Sequence, residues 1–145
     1  MTHEFEGHYR AKHAADFQVN ATVAKRLRDK AEDGRLTCAS AFAVVEETDV
    51  TPTDVGRTAD LLELKITQCQ LGLFGYGQGK RNIVSPAKKV PEGLGQALQN
   101  ALVEGRLSCH KAWDIAKRFS LSKMEVTSAC ERLNIRFCSC QLGTF

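Results

Sequence analysis

The sequence predicts a mostly α-helical protein with short β-strands, in which one structural unit occurs twice. Residues 34–74 align without a gap onto residues 105–145 at an offset of 71 positions, with 12 identities in 41 positions. Both segments begin with Gly-Arg-Leu-Thr/Ser-Cys and end with Cys-Gln-Leu-Gly-x-Phe. Within each, apolar residues first follow the period of a helix and then alternate as in a strand. A shared register of this length indicates a duplicated fold.

Size and composition are those of a globular protein, with 145 residues, 43% hydrophobic and 26% charged. A repeat of roughly 55 to 70 residues is marginal for a core of its own, so we expect the two units to pack as a pseudo-dimer. No apolar run approaches the roughly 20 residues that span a bilayer, and residues 2–6 lack the apolar core of a secretory signal. We therefore expect a cytoplasmic protein that has no membrane partner and keeps its cysteines as thiols.

Charge is distributed unequally between the two halves of the chain. Residues 1–75 carry 9 Lys and Arg against 12 Asp and Glu, whereas residues 76–145 carry 11 against 5. The asymmetry points to the second half as the part that meets a polyanion, with an ordinary solvated surface as the alternative.

The chain begins with a lead-in, residues 1–18, that holds His3, His8 and His13. A spacing of five does not keep these side chains on one helical face. The segment is expected to dock loosely, and a histidine metal site is a remote alternative.

The first helix of copy one is predicted over residues 19–33. Its apolar positions recur at i, i+4 and i+8, namely Val23, Leu27 and Ala31. Asn20 is the expected N-cap, and Gly34 stands where a left-handed C′ residue would end the helix. The second copy has a clearer apolar stripe, ended by Gly105 and formed by Leu94, Ala97, Leu98, Ala101 and Leu102.

A short extended link leads from this helix to the second one. Leu36 and Leu107 are its single apolar residues, and Thr37 and Ser108 are expected to cap the helix that follows. The apolar positions of this second helix are Ala41, Phe42, Val44, Val45, Ala112, Trp113, Ile115, Ala116 and Phe119.

A tight turn then introduces the third helix. In copy two, Ser122 and Glu125 have the Ser-x-x-Glu spacing of a capping box. In copy one, Thr51 is the expected cap and Pro52 the first helical residue. The buried positions of this helix are predicted to be Val55, Ala59, Leu62, Val126, Cys130 and Leu133.

Each repeat is predicted to end in a short strand, residues 64–67 and 135–138, where apolar residues alternate. Copy one continues into a segment rich in Gly, Pro and Lys, which is typical of a linker. The predicted organisation is a lead-in over residues 1–18, repeat one over 19–76, a linker over 77–91 and repeat two over 92–145.

The order helix, link, helix, turn, helix, strand resembles a winged helix-turn-helix unit. The resemblance covers nearly all of both repeats. It is carried by a small residue on helix two, an apolar residue and a polar cap in the turn, and two apolar residues on helix three. In copy two these are Ala112, Leu121, Ser122, Val126 and Leu133.

One feature departs from the resemblance, because no returning strand follows residues 135–139. This strand could pair with residues 64–68 across a pseudo-twofold axis. Alternatively, each strand could pair with the extended link at Leu36 or Leu107.

The resemblance implies binding of double-stranded DNA, with helix three in the major groove. Residues of helix three would face base edges, basic residues of helix two would reach phosphates, and a strand residue would act as the wing does. The implied DNA-binding residues are Lys111, Lys117, Arg118, Ser122, Lys123, Thr127, Ser128, Arg132 and Arg136. Copy one carries Asp54 and Asp60 on its third helix, so copy two is the expected reader and copy one serves pairing or regulation. The alternative is a module of the same fold for protein interaction or assembly, with a protein partner or a second copy of the chain.

Four cysteines repeat in register, and these are Cys38, Cys69, Cys109 and Cys140. They lack the paired knuckles of a structural zinc site, so packing as small apolar residues is favoured over a metal. The alternative is a metal- or redox-responsive sensor in which the four thiols meet. No nucleophile stands beside a base, and we expect neither an enzyme nor a cofactor.

Overall fold

The computed structural model of the chain describes Tyr9, residues 17–77 and residues 83–145. The histidines of the predicted lead-in (His3, His8 and His13) lie outside the described residues, as do linker residues 78–82.

The described residues form six helices and four strands of three residues each, so the prediction of a mostly α-helical protein with short strands is confirmed. Repeat one contains α1 (Ala21–Lys30), β1 (Arg35–Thr37), α2 (Cys38–Thr48), α3 (Pro52–Leu61) and β2 (Lys65–Thr67). Repeat two contains α4 (Leu94–Ala101), β3 (Arg106–Ser108), α5 (Cys109–Arg118), α6 (Lys123–Arg132) and β4 (Arg136–Cys138). In the part of the chain that is described, no helix has the length and apolar character needed to cross a bilayer.

The duplication extends to the backbone conformation. Residues with positive φ recur at the offset of 71 positions, and the pairs are Asp33 and Glu104, Gly34 and Gly105, Asp49 and Ser120, Glu63 and Asn134, Gln68 and Ser139, and Gly72 and Gly143. A positive φ is costly for residues other than glycine, so its recurrence marks turns that the fold imposes on both copies.

The predicted helix caps are confirmed in both repeats. Asn20 accepts a hydrogen bond from the Val23 amide at 3.1 Å, and Thr37, Thr51 and Ser108 cap α2, α3 and α5 in the same way. At α6 the capping box is complete. The Glu125 amide donates to Ser122 Oγ at 3.1 Å, and the Ser122 amide donates to the Glu125 carboxylate at 2.6 Å.

The predicted end of the first helix is wrong in both copies. Helix α1 ends at Lys30, and Asp33 and Gly34, with φ of 50° and 73°, form a two-residue turn instead of a helix stop. Glu32 and Arg35 exchange two backbone hydrogen bonds of 2.9 Å across this turn. A turn with positive φ at both central residues suits the twist of the paired strands, and Asp-Gly favours it. Glu104 and Gly105 form the equivalent turn after α4.

Each repeat closes its own small ladder. Strand β1 pairs with β2 in parallel, with Leu36 opposite Ile66, and β3 pairs with β4, with Leu107 opposite Phe137. The hypothesis that the extended link is the partner is therefore confirmed, and the pairing of residues 64–68 with 135–139 is wrong. A parallel pair needs a long crossover, which helices two and three of each repeat provide.

The chain divides into two compact units whose ends differ from the ends of the sequence repeats. Unit 1 consists of Met1–Cys69 and Gln141–Phe145, and unit 2 consists of Gln70–Cys140. Each unit thus contains the helices of one repeat and the terminal segment of the other. The terminal segment is residues 70–76 in repeat one and residues 141–145 in repeat two. Within unit 1, Leu142 is 4% exposed, and a Cβ at Gly56 on α3 would overlap the Leu142 carbonyl oxygen.

The core of each unit uses the same positions. The fully buried pairs at the offset of 71 are Val23 and Leu94, Leu27 and Leu98, Leu107 and Leu36, Ala41 and Ala112, Val55 and Val126, and Ala59 and Cys130. Burial of these apolar side chains is the main term that stabilises the three-helix arrangement.

Candidate nucleic-acid interface

The charge asymmetry predicted for the halves of the chain also separates the two units. Unit 2 contains 11 Lys and Arg against 5 Asp and Glu, whereas unit 1 contains 9 against 12. The terminal segments that each unit takes from the other repeat carry no charged residue. The net charge of unit 2 therefore favours the approach of a polyanion, and that of unit 1 opposes it.

A cleft of about 670 Å³ opens beside the start of α6 in unit 2. Its lining residues are Gln70, Trp113, Asp114, Ala116, Lys117, Leu121, Ser122, Lys123 and Met124. The cleft brings together three residues of the predicted DNA-binding set, one from the end of α5 and two from the start of α6. The Lys123 ammonium lies 4.3 Å from the centroid of the Trp113 ring, and this cation–π contact gives it a defined position.

Lys111 and Arg118 lie together at a second cleft of about 340 Å³. Lys111 Nζ donates to the Ala101 carbonyl at 3.2 Å, at the C-terminal end of α4, where a cation interacts favourably with the helix dipole. Lys111 therefore has a structural contact of its own, whereas Arg118 is exposed with its guanidinium 5.8 Å from the Phe119 ring. Asp114 lines both clefts and is the one carboxylate among the lining residues of each.

The middle of α6 differs from the expected reading surface. Thr127 is 0% exposed, and its hydroxyl donates to the Lys123 carbonyl at 3.3 Å, so it does not face outward. Ser128 Oγ donates to the Ser85 carbonyl at 2.8 Å, and the Ala87 amide donates to the Ser128 carbonyl at 3.0 Å. Residues 85–87 of the linker thus lie across α6 at Ser128. Thr127 and Ser128 were expected to contact base edges directly, and this geometry does not allow it.

Arg132 and Arg136 lie at the other end of α6 and at the start of β4, and both are exposed. The ladder places Arg106 directly beside Arg136. Arg106 is not among the DNA-binding residues predicted from the sequence. It belongs to the repeated Gly-Arg-Leu, but its position beside Arg136 depends on which strands pair, and the sequence did not decide that.

The corresponding helix of unit 1 presents a different surface. Arg57 lies 3.7 Å from the Asp54 carboxylate and 5.5 Å from the centroid of the Phe17 ring. Asp60 is buried. The exposed cation of α3 therefore has a carboxylate beside it, which makes this helix a poor contact for phosphate.

All six cysteines are free thiols, and four of them are buried, namely Cys38, Cys69, Cys109 and Cys130. Cys138 and Cys140 are half-buried. Burial raises the pKa of the Cys130 thiol from 9.0 to about 12, so the thiol stays protonated well into the alkaline range. Over the described ranges, no three His, Cys, Asp or Glu side chains come close enough to hold a metal ion.

The arrangement at the surface of unit 2 is suited to ionic recognition of a polyanion. At the start of α6, Lys117 is exposed and Lys123 is half-buried, with its ammonium over the Trp113 ring. Comparison of the chain with protein-family models, with curated proteins and with solved structures gives no match.

Proposed function

We propose that the protein binds double-stranded DNA through unit 2, with α5 and α6 acting as the helix pair of a winged-helix-like fold. The observation that carries this proposal is the cleft at the start of α6, which is lined by Lys117, Ser122 and Lys123 together. We also propose that the two units pack as a pseudo-dimer in which unit 1 serves pairing or regulation.

Reading of bases falls to the first turn of α6 in this proposal. Thr127 is buried and Ser128 is bonded to the linker, so Ser122 and Lys123 are the polar side chains that can reach a base edge. The N-terminal residues of a recognition helix commonly make such contacts, and lysine suits the acceptor atoms of guanine.

Affinity is supplied by contacts to the phosphate backbone. The exposed cations available for this role are Arg106, Lys117, Arg118, Arg132 and Arg136. Each contact releases counterions, so binding weakens steeply as salt rises. Asp114 at the cleft opposes phosphate, so its position favours contacts on the α6 side.

The test is binding of the full chain to a mixed-sequence duplex at about 50 mM and about 200 mM salt, where several phosphate contacts predict a loss of about a thousandfold. The double substitution Lys117→Ala and Lys123→Ala is expected to weaken binding at both concentrations. The matched control is Lys25→Ala with Arg28→Ala, which removes two exposed cations from α1 of unit 1. An absence of binding at about 50 mM salt would end the proposal.

A second candidate, a protein-interaction or assembly module, is favoured by one specific observation. Unit 1 accepts the segment Gln141–Phe145 against α3, where Gly56 lets the peptide backbone approach closely. A fold that seats a peptide in this way suits assembly. Light scattering of the full chain over a range of concentrations tests this candidate, because a strict monomer that captures no second copy would argue against assembly.

A further inference from the structure

The parallel ladder of unit 2 places two arginines side by side. Arg106 and Arg136 occupy the first register position of β3 and β4, and both are exposed. Within the described residues, neither guanidinium has a hydrogen bond or an ion pair. The nearest acid along the chain is Glu104, which is exposed in the turn before β3.

Such a pair works against the ladder that contains it. Like charges directly opposite each other in paired strands repel, and each ladder has only three register positions. Unit 1 repeats the arrangement with Arg35 beside Lys65, although that unit is net negative. A pair of basic residues therefore occupies the first register position of both ladders, and it does not follow from the positive charge of unit 2.

We propose that Arg106 and Arg136 form a clamp for one phosphate group of the DNA backbone. This inference rests on the proposed function and assigns both arginines of the ladder to the same phosphate. A phosphate between the two guanidinium groups offsets their repulsion. Arginine suits this role because its planar fork of donors matches the oxygens of a phosphate.

Unit 1 lacks the same clamp. Lys65 replaces one arginine there, is half-buried and already has a contact within the protein. Its ammonium is a point charge without the forked geometry.

The first experiment measures duplex affinity against salt for the full chain, with Arg106→Gln, Arg136→Gln and the double variant. If both arginines bind one phosphate, each single substitution should remove most of the pair's contribution and lower the affinity for the duplex about tenfold. The double variant should lose little more, and its salt slope should fall by about 0.9, as for one phosphate. Arg132→Gln, an exposed cation outside the pair, is the control and should add its own loss to that of the double variant.

A double variant whose losses are the simple sum of the single losses would overturn the clamp, because it indicates two separate phosphates. An unchanged salt slope in the double variant would also overturn the clamp. In either case, binding of the duplex by the wild type would leave the proposed function standing.

The second experiment replaces DNA with inorganic phosphate and follows the thermal unfolding of the full chain, with chloride at the same ionic strength as reference. Phosphate should raise the Tm of the wild type and leave the double variant unchanged. In chloride alone, the double variant should be at least as stable as the wild type, because the repulsion is removed. If the wild type binds no duplex but phosphate still raises its Tm through this pair, the DNA function fails and the anion site stands. An equal response of both proteins to phosphate would refute the site itself.

Discussion

Unit 1 and unit 2 share six matched residues with positive φ, yet their third helices differ in sequence at nine of ten matched positions. Helix α3 has Gly56 where α6 has Thr127, and it has Ala59 where α6 has Cys130. At the first helical position, α3 has Pro52 and α6 has Lys123, which lies over Trp113. The turns and the caps of the second and third helices are thus common to both copies, while the surface of the third helix is not.

The position of Gly56 and Thr127 shows how the two units hold the terminal segment of the other repeat by different means. In unit 1 the backbone of Leu142 lies directly on α3 at Gly56. In unit 2 Thr127 is buried, and the corresponding segment is near side chains instead. A Cβ at Gly72 would lie 2.5 Å from Val84 Cγ2 and 3.6 Å from Met124 Cε. Close backbone approach in one unit and side-chain packing in the other lead to different responses to substitution.

The largest effect is expected from truncating the buried leucines of the terminal segments. Leu142→Ala and Leu71→Ala should each cost about 2–5 kcal/mol, the usual range for a buried leucine. Each substitution should destabilise the unit that contains the segment. Hydrogen exchange should therefore show Leu142→Ala weakening the protection of α3, and Leu71→Ala that of α6. Loss of protection confined to the repeat that carries the substitution would contradict the division into units.

Gly56→Ala should have the next largest effect. The added methyl overlaps the Leu142 carbonyl oxygen, and overpacking of this kind costs about 1–3 kcal/mol. Gly95→Ala is the matched control, because Gly95 is also helical and its nearest neighbour to an added Cβ is Leu133 Cδ1 at 3.9 Å. The control should be stabilised by up to about 1 kcal/mol through helix propensity. Chemical denaturation measures both, and equal stability of the two variants would show that the close approach is absent.

Cys130 provides a test through alkaline pH. Burial raises the pKa of its thiol from 9.0 to about 12, so between these values the unfolded chain loses a proton that the folded chain keeps. The contribution is complete below pH 9 and is lost as pH rises toward 12, at most about 1.4 kcal/mol per pH unit. Cys130→Ala, which gives α6 the residue of α3, should flatten this decline when unfolding is measured from pH 8 to 10. The same slope in both proteins would mean that the thiol is not desolvated.

The smallest effect should come from the helix caps. Ser122→Ala removes one half of the capping box and should cost about 1 kcal/mol. Glu125→Gln should cost only a few tenths, because glutamine also fits a capping box. Thr51→Ala is the comparison in α3, where Pro52 already fixes the first helical residue. Urea unfolding measures these differences. A Ser122 variant as stable as the wild type would show that the cap does not stabilise α6.

The sequence predicted those parts of the fold whose signals are local. The caps at Asn20, Thr37 and Ser122 stand beside the helices that they begin, and the change of period marked both strands. Gly34 gave two competing signals, since it could end a helix or follow an aspartate in a tight turn. The turn prevails, and the Gly34 carbonyl accepts a hydrogen bond from the Lys65 amide at 2.9 Å, so the turn leads directly into the ladder of β1 with β2.

Other features depend on contacts between distant residues, which a single sequence does not show. Leu142 and Leu71 were visibly apolar, but nothing local indicates the helix against which each is buried. The contact of the linker with Ser128 joins residues 43 positions apart. For Thr127, the alignment with Gly56 was a signal that could have been used, because a position occupied by glycine in one copy of a helix is often a close contact.

The assignment of each terminal segment to the other repeat's unit has a consequence for dissecting the protein. A backbone break within residues 78–82 would give one fragment that carries Gln70 to Gly77 and another that carries Gln141–Phe145, each segment belonging to the unit formed mainly by the other fragment. Either fragment alone would leave a gap in its own hydrophobic core and retain an unused segment. The two halves should therefore recover native structure by complementation when mixed, and fold poorly when expressed singly.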